Sequence, residues 1–545
     1  MFTWLQVWLA CTVAASAVVS GALLYQLAHP DVRLPCKVTV FFAWALAFTV
    51  IWVTPLDLDA DHAASALLFP VWNATYWCVS LLTWLLIPLQ QAYYDSGHFT
   101  VRDKLKDAFR ANVRFYVVAL VLISVVGVTA AATSGLRPDE LVGLGMALAN
   151  VWGMLLMVLL LGYGLVDIPR KLWTFGDRRR IGRALYFNAV AVHDEYQDSL
   201  EKLSDSMTMV VETSLRVKQM DDPLLAHYME IIEGECPAPG TLELTQEYAP
   251  SSLAAELRGS DLNEPILARL HSRVKADHHE SRRAQYQWHL LLDKVDEFER
   301  EEDESARRNV FHQTLYRTVN LHVAARVLSV VCAIMTLAVI WSEVTLSIGV
   351  RLSIFYNIVN SVSDPALVYL TGAVVSSYLA VCAFYSMFRL RLSSFYHLHF
   401  GRHSEANSLL FNASYILRLV FPIGVNVFSM TKDDRGQTTA FESVLGVMNV
   451  VPLLGEKFNL FVPIVISVFC FITLANFYGR ILRCLQLGQF EENGPGSDEV
   501  VQEGKSLVKR TQRKRKRGAA AGLYNQKPRN GGYQQLGPEV DSPSQ

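Results

Sequence analysis

The sequence has little charge for its length. Of its 545 residues, 18% are Asp, Glu, Lys or Arg, and 51% are hydrophobic. Soluble globular domains carry about 25% charged residues, so this deficit argues against a chain built only of soluble domains. The charge is also uneven, since it collects at about residues 170–320 and beyond residue 484. The net charge of -2 therefore says little about partners.

Sequence patterns that mark catalytic and cofactor sites are missing as well. The chain has no CxxC pair, no P-loop, no Gly-rich dinucleotide loop and no nucleophile motif. His399 and His403 are four residues apart, but no third metal ligand lies nearby in the sequence. We therefore predict no catalytic, cofactor-binding or metal site, and a protein that is not an enzyme.

Apolar stretches of about 20 residues recur along the chain, the length that a helix needs to cross a bilayer. We predict nine spans, at residues 3–28, 36–54, 71–92, 113–132, 141–168, 322–348, 365–389, 409–430 and 459–482. A cleaved signal peptide is the alternative for the first span, but no Lys or Arg precedes Arg33. The predicted fold class is an all-α, polytopic integral membrane protein with about nine transmembrane helices.

Lys and Arg indicate on which side of the membrane each loop lies. They cluster in the loops after spans 3, 5 and 7, as at Arg102–Arg114 and Arg170–Arg183. The intervening loops carry few basic residues, and residues 55–70 carry none. Because short cytosolic loops are rich in Lys and Arg, we predict an outside N-terminus and a cytosolic C-terminus. None of the 8 cysteines then lies in an outside loop, so no extracellular disulfide framework is expected.

The predicted domains follow from these spans. Spans 1–5 occupy residues 1–168, a cytosolic, coiled-coil-like helical loop occupies 169–320, spans 6–9 occupy 321–483 and a tail occupies 484–545. In the loop, apolar residues recur at helical spacing, at Leu200, Leu203, Met207 and Val210. The stretch GECPAPGTLELTQEYAPSS breaks the pattern, and a second helical stripe follows it. We predict an antiparallel helical hairpin, either a rigid strut or a docking arm for soluble partners.

Residues 484–545 are rich in Gly, Pro, Ser, Gln and charge, so we predict a disordered, basic cytosolic tail. It contains a basic run suited to anionic membrane lipid: Lys509, Arg510, Arg513, Lys514, Arg515, Lys516 and Arg517. A nuclear signal does not fit a nine-span protein, so no nucleic-acid partner is predicted. Tyr533 and Leu536 have the spacing of an endocytic sorting signal. Cys484 is placed for S-palmitoylation, with an unmodified thiol as the alternative.

Span 8 contains polar residues where water is scarce, within the stretch SYILRLVFPIGVNVF. Arg418 falls near mid-depth, and Pro422 removes the backbone donor for its carbonyl oxygen. An isolated charge at that depth costs at least about 2.5–3.5 kcal/mol, so a partner is required. We predict an intramembrane polar site formed by Arg418, Ser414, Pro422, Asn426 and Glu343.

The sequence leaves open three ways in which the charge of Arg418 is compensated. It is held inside the protein by Glu343, Asp364 or backbone carbonyls, it binds an anionic ligand or lipid, or it reaches the cytosolic surface by snorkelling.

Several stretches resemble a known family. They include TPLDLDAD after span 2, LGYGLVDIPRKLW at the end of span 5, IWSEVTLS at the end of span 6 and EANSLLFNASYILRLVFPIGVNVFSM in span 8. Together with other segments in the same order, they touch nearly all of the membrane part. They resemble the limb-region-like, or lipocalin-receptor-like, multi-pass membrane proteins, and within that family the limb region domain-containing proteins of type two.

The resemblance implies nine spans, an outside N-terminus and a large cytosolic loop between spans 5 and 6. Members act as lipocalin receptors, in lysosomal cobalamin release or as regulators of surface receptors, and the type-two branch is linked to G-protein-coupled receptor signalling. We therefore expect a membrane receptor or regulatory scaffold that affects receptor signalling or endocytic trafficking. We expect it at the plasma membrane rather than the endolysosomal membrane. Expected partners are membrane lipid, another membrane receptor and cytosolic signalling or adaptor proteins. The alternative is a carrier or export helper for a small anionic ligand.

Overall fold

The computed structural model of the protein describes residues 2–58, 62–134, 140–175, 177–237, 252–259, 262–307, 313–346, 348–362, 364–389, 398, 401–431, 439–445, 456–475 and 497–520. Within these residues the regular structure is helical, apart from one isolated bridge between Ala28 and Ser404. The prediction of an all-α protein is therefore confirmed.

Seventeen α-helices occur in these stretches. In chain order they are α1 (Phe2–Leu27), α2 (Leu34–Val53), α3 (His62–Leu81), α4 (Ile87–Asp95), α5 (Val101–Ser134), α6 (Glu140–Thr174), α7 (Arg178–Met220), α8 (Pro223–Glu235), α9 (Ser252–Arg258), α10 (Glu264–Arg307), α11 (Gln313–Leu346), α12 (Ile354–Ser361), α13 (Pro365–Arg389), α14 (Ala406–Thr431), α15 (Ala440–Leu445), α16 (Glu456–Leu474) and α17 (Ser497–Ala520). The π-helix Leu82–Leu86 joins α3 to α4.

The chain divides into two compact units. The membrane unit comprises Met1–Ala92, Phe109–Phe175 and Thr318–Tyr478. The hairpin unit comprises Tyr93–Ala108, Gly176–Arg317 and Gly479–Gln545. The second unit therefore collects the predicted cytosolic loop, the tail and the short segment that follows span 3.

Seven helical stretches among the described residues are long and apolar enough to cross a membrane. They are Gln6–Leu27, Leu34–Asp57, Ser65–Asp95, Trp152–Thr174, Val323–Leu346, Pro365–Arg389 and Ala406–Thr431. These coincide with predicted spans 1, 2, 3, 5, 6, 7 and 8, so a multi-pass integral membrane protein is confirmed. Predicted spans 4 and 9 fall on α5 and α16, and the end of span 9 lies outside the described residues. The number nine stays a prediction.

Helix α6 packs closely against three neighbours because glycines line its contact faces. A Cβ atom on Gly153 would lie 2.7 Å from the Arg418 carbonyl oxygen of α14. Gly162 meets α16 and Gly164 meets α13 at similarly short range. Small residues of this kind let helix backbones approach each other in lipid, where apolar burial gives little drive for association. A side chain at any of these positions would push the helices apart.

Helix α11 exposes a wide apolar face and is attached through polar side chains on the opposite face. Ser329 Oγ donates to the Pro169 carbonyl oxygen at 2.7 Å. Thr336 Oγ1 donates to the Leu165 carbonyl oxygen at 2.7 Å. Glu343 follows at the same seven-residue interval. Seven residues are close to two helical turns, so these three polar side chains lie on one stripe.

Helices α7 and α10 of the hairpin unit run antiparallel, as the predicted hairpin requires. Lys202 Nζ lies 2.9 Å from Glu280 Oε1, and nearer the start of α7 the Tyr186 hydroxyl donates to Glu299 Oε1 at 2.8 Å. Residue numbers therefore fall along α7 as they rise along α10, which fixes the relative direction. The cytosolic location of this hairpin stays a prediction.

The prediction of disorder across residues 484–545 is wrong for Ser497–Ala520, which form helix α17. Its buried positions follow heptad spacing: Ser497, Val501, Gly504, Val508 and Thr511. The two valines join one apolar cluster with side chains of α7 and α10: Tyr186, Ala189, Trp288, Leu291, Leu292 and Val295. The hairpin and α17 thus form a three-helix bundle. Residues 484–496 and 521–545 lie outside the described residues.

The prediction of disorder from composition failed for residues 497–520 because a narrow apolar stripe is enough to order a short helix against the hairpin. Full burial of a valine contributes about 1.5–3 kcal/mol. That gain and the polar contacts described below favour the docked helix.

We expect Gly504→Ala to loosen α17, although alanine is the better helix former by about 1 kcal/mol. A Cβ atom at this position would collide with the backbone carbonyl of Tyr186 on α7. The expected readout is faster amide hydrogen exchange across residues 497–520, followed by mass spectrometry. Gln502→Ala, on the exposed face of α17, is the control and should not speed exchange. Undiminished protection in Gly504→Ala would contradict this packing.

Candidate functional site

The predicted polar site lies on α14, most of whose side chains are buried within the membrane unit. Arg418 Nη2 donates to the Thr83 carbonyl oxygen at 3.3 Å, and Arg418 Nε donates to Ser414 Oγ at 3.4 Å. The guanidinium carbon lies 4.8 Å from the centroid of the Trp84 ring. Two neutral oxygens therefore accept hydrogen bonds from the guanidinium, and the Trp84 ring makes a cation–π contact with it.

The acceptor for Arg418 is provided by the π-helix Leu82–Leu86. Its last turn is wide, because the Ile87 N–H bonds to the Leu82 carbonyl oxygen five residues back. Pro88 follows the π-helix and has no N–H. With the Ile87 N–H already bonded to Leu82, the Thr83 carbonyl oxygen has no backbone donor, and in lipid another part of the protein must satisfy it. Arg418 supplies the donor for the Thr83 carbonyl. We call this arrangement the Arg418 site.

A neighbouring carbonyl of the same π-helix is satisfied from α5. The Tyr116 hydroxyl donates to the Trp84 carbonyl oxygen. Sequence reasoning missed Thr83, Trp84 and Tyr116. The available signal was Pro88 within span 3, because a proline inside a helix leaves carbonyls one turn earlier without a donor.

No carboxylate of the described residues lies within ion-pair distance of Arg418. Glu343 instead bonds Asn426, and Asp364 Oδ1 accepts from the Ala366 N–H at the start of α13. Arg418 and Asn426 are eight residues apart on α14, which is about 12 Å along the helix. The structure therefore divides the predicted polar site into two separate groups. The Thr83 carbonyl and the Ser414 hydroxyl, not an acidic side chain, are the internal hydrogen-bond partners of Arg418.

Pro422 is accommodated inside a continuous α14, which runs over Ala406–Thr431 without a break. Because proline has no N–H, the Arg418 carbonyl oxygen loses its donor four residues later. The backbone of α6 at Gly153 closes over that position, with Pro422 Cγ 3.0 Å from where a Cβ atom would stand. The proline thus marks the closest approach of α6 to α14.

Glu343 and Asn426 form the second group, which we call the Glu343 site. Asn426 Nδ2 donates to Glu343 Oε1 at 2.6 Å. Glu343 is 0% exposed and Asn426 is 4% exposed. The contact joins α11 to α14 at the C-terminal end of the polar stripe on α11.

A third polar group, between α6 and α13, was not predicted from the sequence. Asp167 is buried and accepts a 2.7 Å hydrogen bond from the Tyr385 hydroxyl. Tyr163 and Arg389 interact with the same pair. Tyr163 and Asp167 are one turn apart on α6, and Tyr385 and Arg389 are one turn apart on α13. These matching four-residue spacings on two apolar helices were the available signal.

The predicted lipid-binding run lies on α17, and most of it faces outward from the hairpin unit. The exposed side chains are Lys509, Arg510, Arg513, Lys516 and Arg517. Lys514 is half-buried, and so is Arg515, whose Nη1 lies 3.2 Å from Asp293 Oδ1 of α10. The run therefore has an outward basic face and a residue that fixes α17 to the hairpin. Lipid binding by that face stays a prediction.

Beneath Arg515 lies His289 of α10, whose Nδ1 contacts the guanidinium. Burial and the Arg515 charge lower the pKa of His289 to about 4, whereas an ordinary histidine has a pKa of about 6.5. The neutral imidazole is therefore the form that fits under α17. The sorting residues Tyr533 and Leu536, and Cys484, lie outside the described residues.

Comparison with known proteins agrees with the resemblance seen in the sequence. The family described as LMBR1-like membrane protein matches residues 3–478. The chain is 29% identical over 480 residues to the G-protein coupled receptor-associated protein LMBRD2 of Xenopus laevis, covering 82% of this chain and 67% of that protein. It is 27% identical over 550 residues to the Homo sapiens protein of the same name, covering 87% and 79%.

A relative with a different name supports the same branch. The LMBR1 domain-containing protein 2 homolog of Drosophila melanogaster is 25% identical over 583 residues, covering 93% of this chain and 83% of that protein. No solved structure matches the chain. The predicted family and its type-two branch are confirmed by these relatives.

We expect Arg418→Leu to destabilise the membrane unit by about 1–3 kcal/mol, since it leaves the Thr83 carbonyl unpaired in the protein interior. Arg418→Gln keeps a donor without the charge and should be clearly more stable than Arg418→Leu. Thermal unfolding in lipid nanodiscs measures both. Arg351→Leu, an exposed arginine outside the long apolar helices, is the control for loss of positive charge. Equal stability of Arg418→Leu and wild type would contradict a structural role for this contact.

We expect acid to release α17 from the hairpin. Because docking lowers the pKa of His289, the undocked state binds more protons as the pH falls from about 6.5 toward 4, and docking weakens over that window. Electron paramagnetic resonance distances between spin labels at Leu290 and Ser506, both exposed, would lengthen and broaden at about pH 5 relative to pH 7. His289→Gln should remove this response. Unchanged distances in the wild type at both values would show that His289 does not control docking.

Proposed function

The chain belongs to the family of LMBR1-like membrane proteins, and from that membership we propose that it associates with G-protein-coupled receptors and regulates their signalling. Its role is non-enzymatic. The membrane unit contacts the receptor and lipid, and the hairpin unit docks cytosolic signalling or adaptor proteins. Endocytic trafficking of the receptor is the step that such docking would influence.

The observation that carries this proposal is the shared name of the relatives. Proteins of Xenopus laevis and Homo sapiens that align over 82% and 87% of this chain are named as G-protein coupled receptor-associated. The alignments extend over the membrane part and beyond it, so they include the elements that would meet both a receptor and soluble proteins.

The geometry supports a scaffold in a second way. Arg418 and the Oε1 atom of Glu343 are hydrogen-bonded by groups of the protein itself, which is typical of structural contacts. The hairpin unit, by contrast, has wide charged faces and an outward basic face on α17. That face suits anionic lipid of the cytosolic leaflet, and Tyr533 and Leu536 would engage an adaptor. These partners favour the plasma membrane as the site of action.

The alternative function is a carrier or export helper for a small anionic ligand. The observation in its favour is that Arg418 has no carboxylate partner among the described residues, so the charge itself remains available to an anion. A carrier requires Arg418 and tolerates loss of most of the hairpin. Ligand flux that is unchanged by Arg418→Leu would exclude it.

Quantitative capture in mild detergent tests the scaffold. The intact chain is compared with a variant whose residues 184–315 are replaced by a short flexible linker, at matched membrane levels and with a co-expressed G-protein-coupled receptor. We expect both forms to retain the receptor and the variant to lose a defined set of signalling or coat proteins. Gln502→Ala, which keeps the full-length chain, is the control for losses during expression and capture. Receptor absent from both captures, or identical cytosolic proteins in both, would contradict the proposal.

A further inference from the structure

Glu343 is an acidic side chain enclosed within the membrane unit. Its Oε1 accepts from Asn426 Nδ2 at 2.6 Å. Its Oε2 is buried and has no hydrogen-bond partner among the described residues, and the same holds for the adjacent Ser342 Oγ. One oxygen of the carboxyl group is therefore satisfied, while the other has no donor among the described residues.

The surroundings of Glu343 contain no compensating positive charge. In the part of the chain that the structure describes, no Lys, Arg or His lies within ion-pair distance of it. Asn426 faces it from α14, and the buried thiol of Cys470 faces it from α16. The nearest cation on α14 is Arg418, about 12 Å away along the helix and directed to Thr83.

An ionised carboxylate in this position would be strongly disfavoured. Charged side chains are costly to place within the membrane, and a single amide donor compensates only part of the lost hydration. A proton on Oε2 removes the charge and leaves Oε1 as the acceptor for Asn426. The neutral carboxylic acid is therefore the form that matches the observed contacts.

We propose that Glu343 is a proton-binding site whose protonated form holds the end of α11 against α14. The ligand is a proton, which adds to Oε2 without any other bond being broken. Loss of the proton creates a buried anion, and its hydration requires this end of α11 to separate from α14. The Ser329 and Thr336 hydroxyl groups, further along the polar stripe, keep their protons over this pH range. The separation that follows proton loss is therefore confined to the Glu343 end of α11.

This inference goes beyond receptor association, because it gives the membrane unit a response to pH. The charge pattern predicts that the Glu343 end of α11 lies on the outer side of the membrane. The proton would therefore exchange with the extracellular or luminal medium. Proton binding at Glu343 does not depend on which partners the hairpin unit binds.

Infrared spectroscopy of the full chain in lipid nanodiscs tests the site directly. We expect the wild type at neutral pH to show a carbonyl stretch of a buried, protonated carboxylic acid that E343Q abolishes. D364N, which removes a carboxylate at the exposed start of α13, is the matched control and should leave the band unchanged. A difference spectrum between wild type and E343Q that contains only ionised carboxylate bands would overturn the proposal.

Two further measurements keep the test independent of one variant. N426L retains Glu343 but removes its amide donor, so it should shift the frequency of the acid band without abolishing it. A band unaffected by N426L would overturn the assignment to Glu343. The second measurement adds sodium or potassium salt to the wild type. A carboxylate band that changes with either salt would indicate a cation site and would also overturn the proposal.

Discussion

The absence of water inside a bilayer is the constraint on which the membrane unit depends. Every backbone polar group within the spans must find its partner in the protein, and a charged side chain there must be compensated. Arg418 meets this requirement with the Thr83 carbonyl that a π-helix makes available. Helix α11 meets it with a stripe of three polar side chains, and α6 admits its neighbours through glycines. The polar contacts thus determine which helices adjoin and how closely, while the apolar residues determine only that they lie in lipid.

The sequence was informative wherever a local pattern decides the outcome. Long apolar runs predicted the helices of the membrane unit, and the spacing of Leu203 and Met207 predicted the first helix of the hairpin. The partner of Arg418 was harder to predict. Pro88 marks the Thr83 and Trp84 carbonyls as lacking a backbone donor, but which side chains reach them depends on the packing of α5 and α14. Helix α17 was missed because its heptad stripe contains only two valines, and Ser497, Gly504 and Thr511 fill the other buried positions.

The hairpin unit follows a different rule from the membrane unit. Its helices carry dense charge, yet α17 is held on them by a narrow apolar seam that includes Trp288 and Val508. The contact between Arg515 and Asp293 adds to this packing. One residue of the basic run thus packs against the hairpin, and lipid binding by the outward face stays a prediction.

The π-helix holds the Arg418 charge inside the membrane unit through the Thr83 carbonyl. Solid-state nuclear magnetic resonance in lipid bilayers can measure this contact through dipolar couplings between the guanidinium nitrogens of Arg418 and selected nuclei. We expect a close coupling to the backbone carbonyl carbon of Thr83. A dominant coupling to lipid phosphorus would instead place Arg418 at the membrane surface, and a coupling to an Asp or Glu carboxyl carbon would show an ion pair. Either result would rule out Thr83 as the main partner of Arg418.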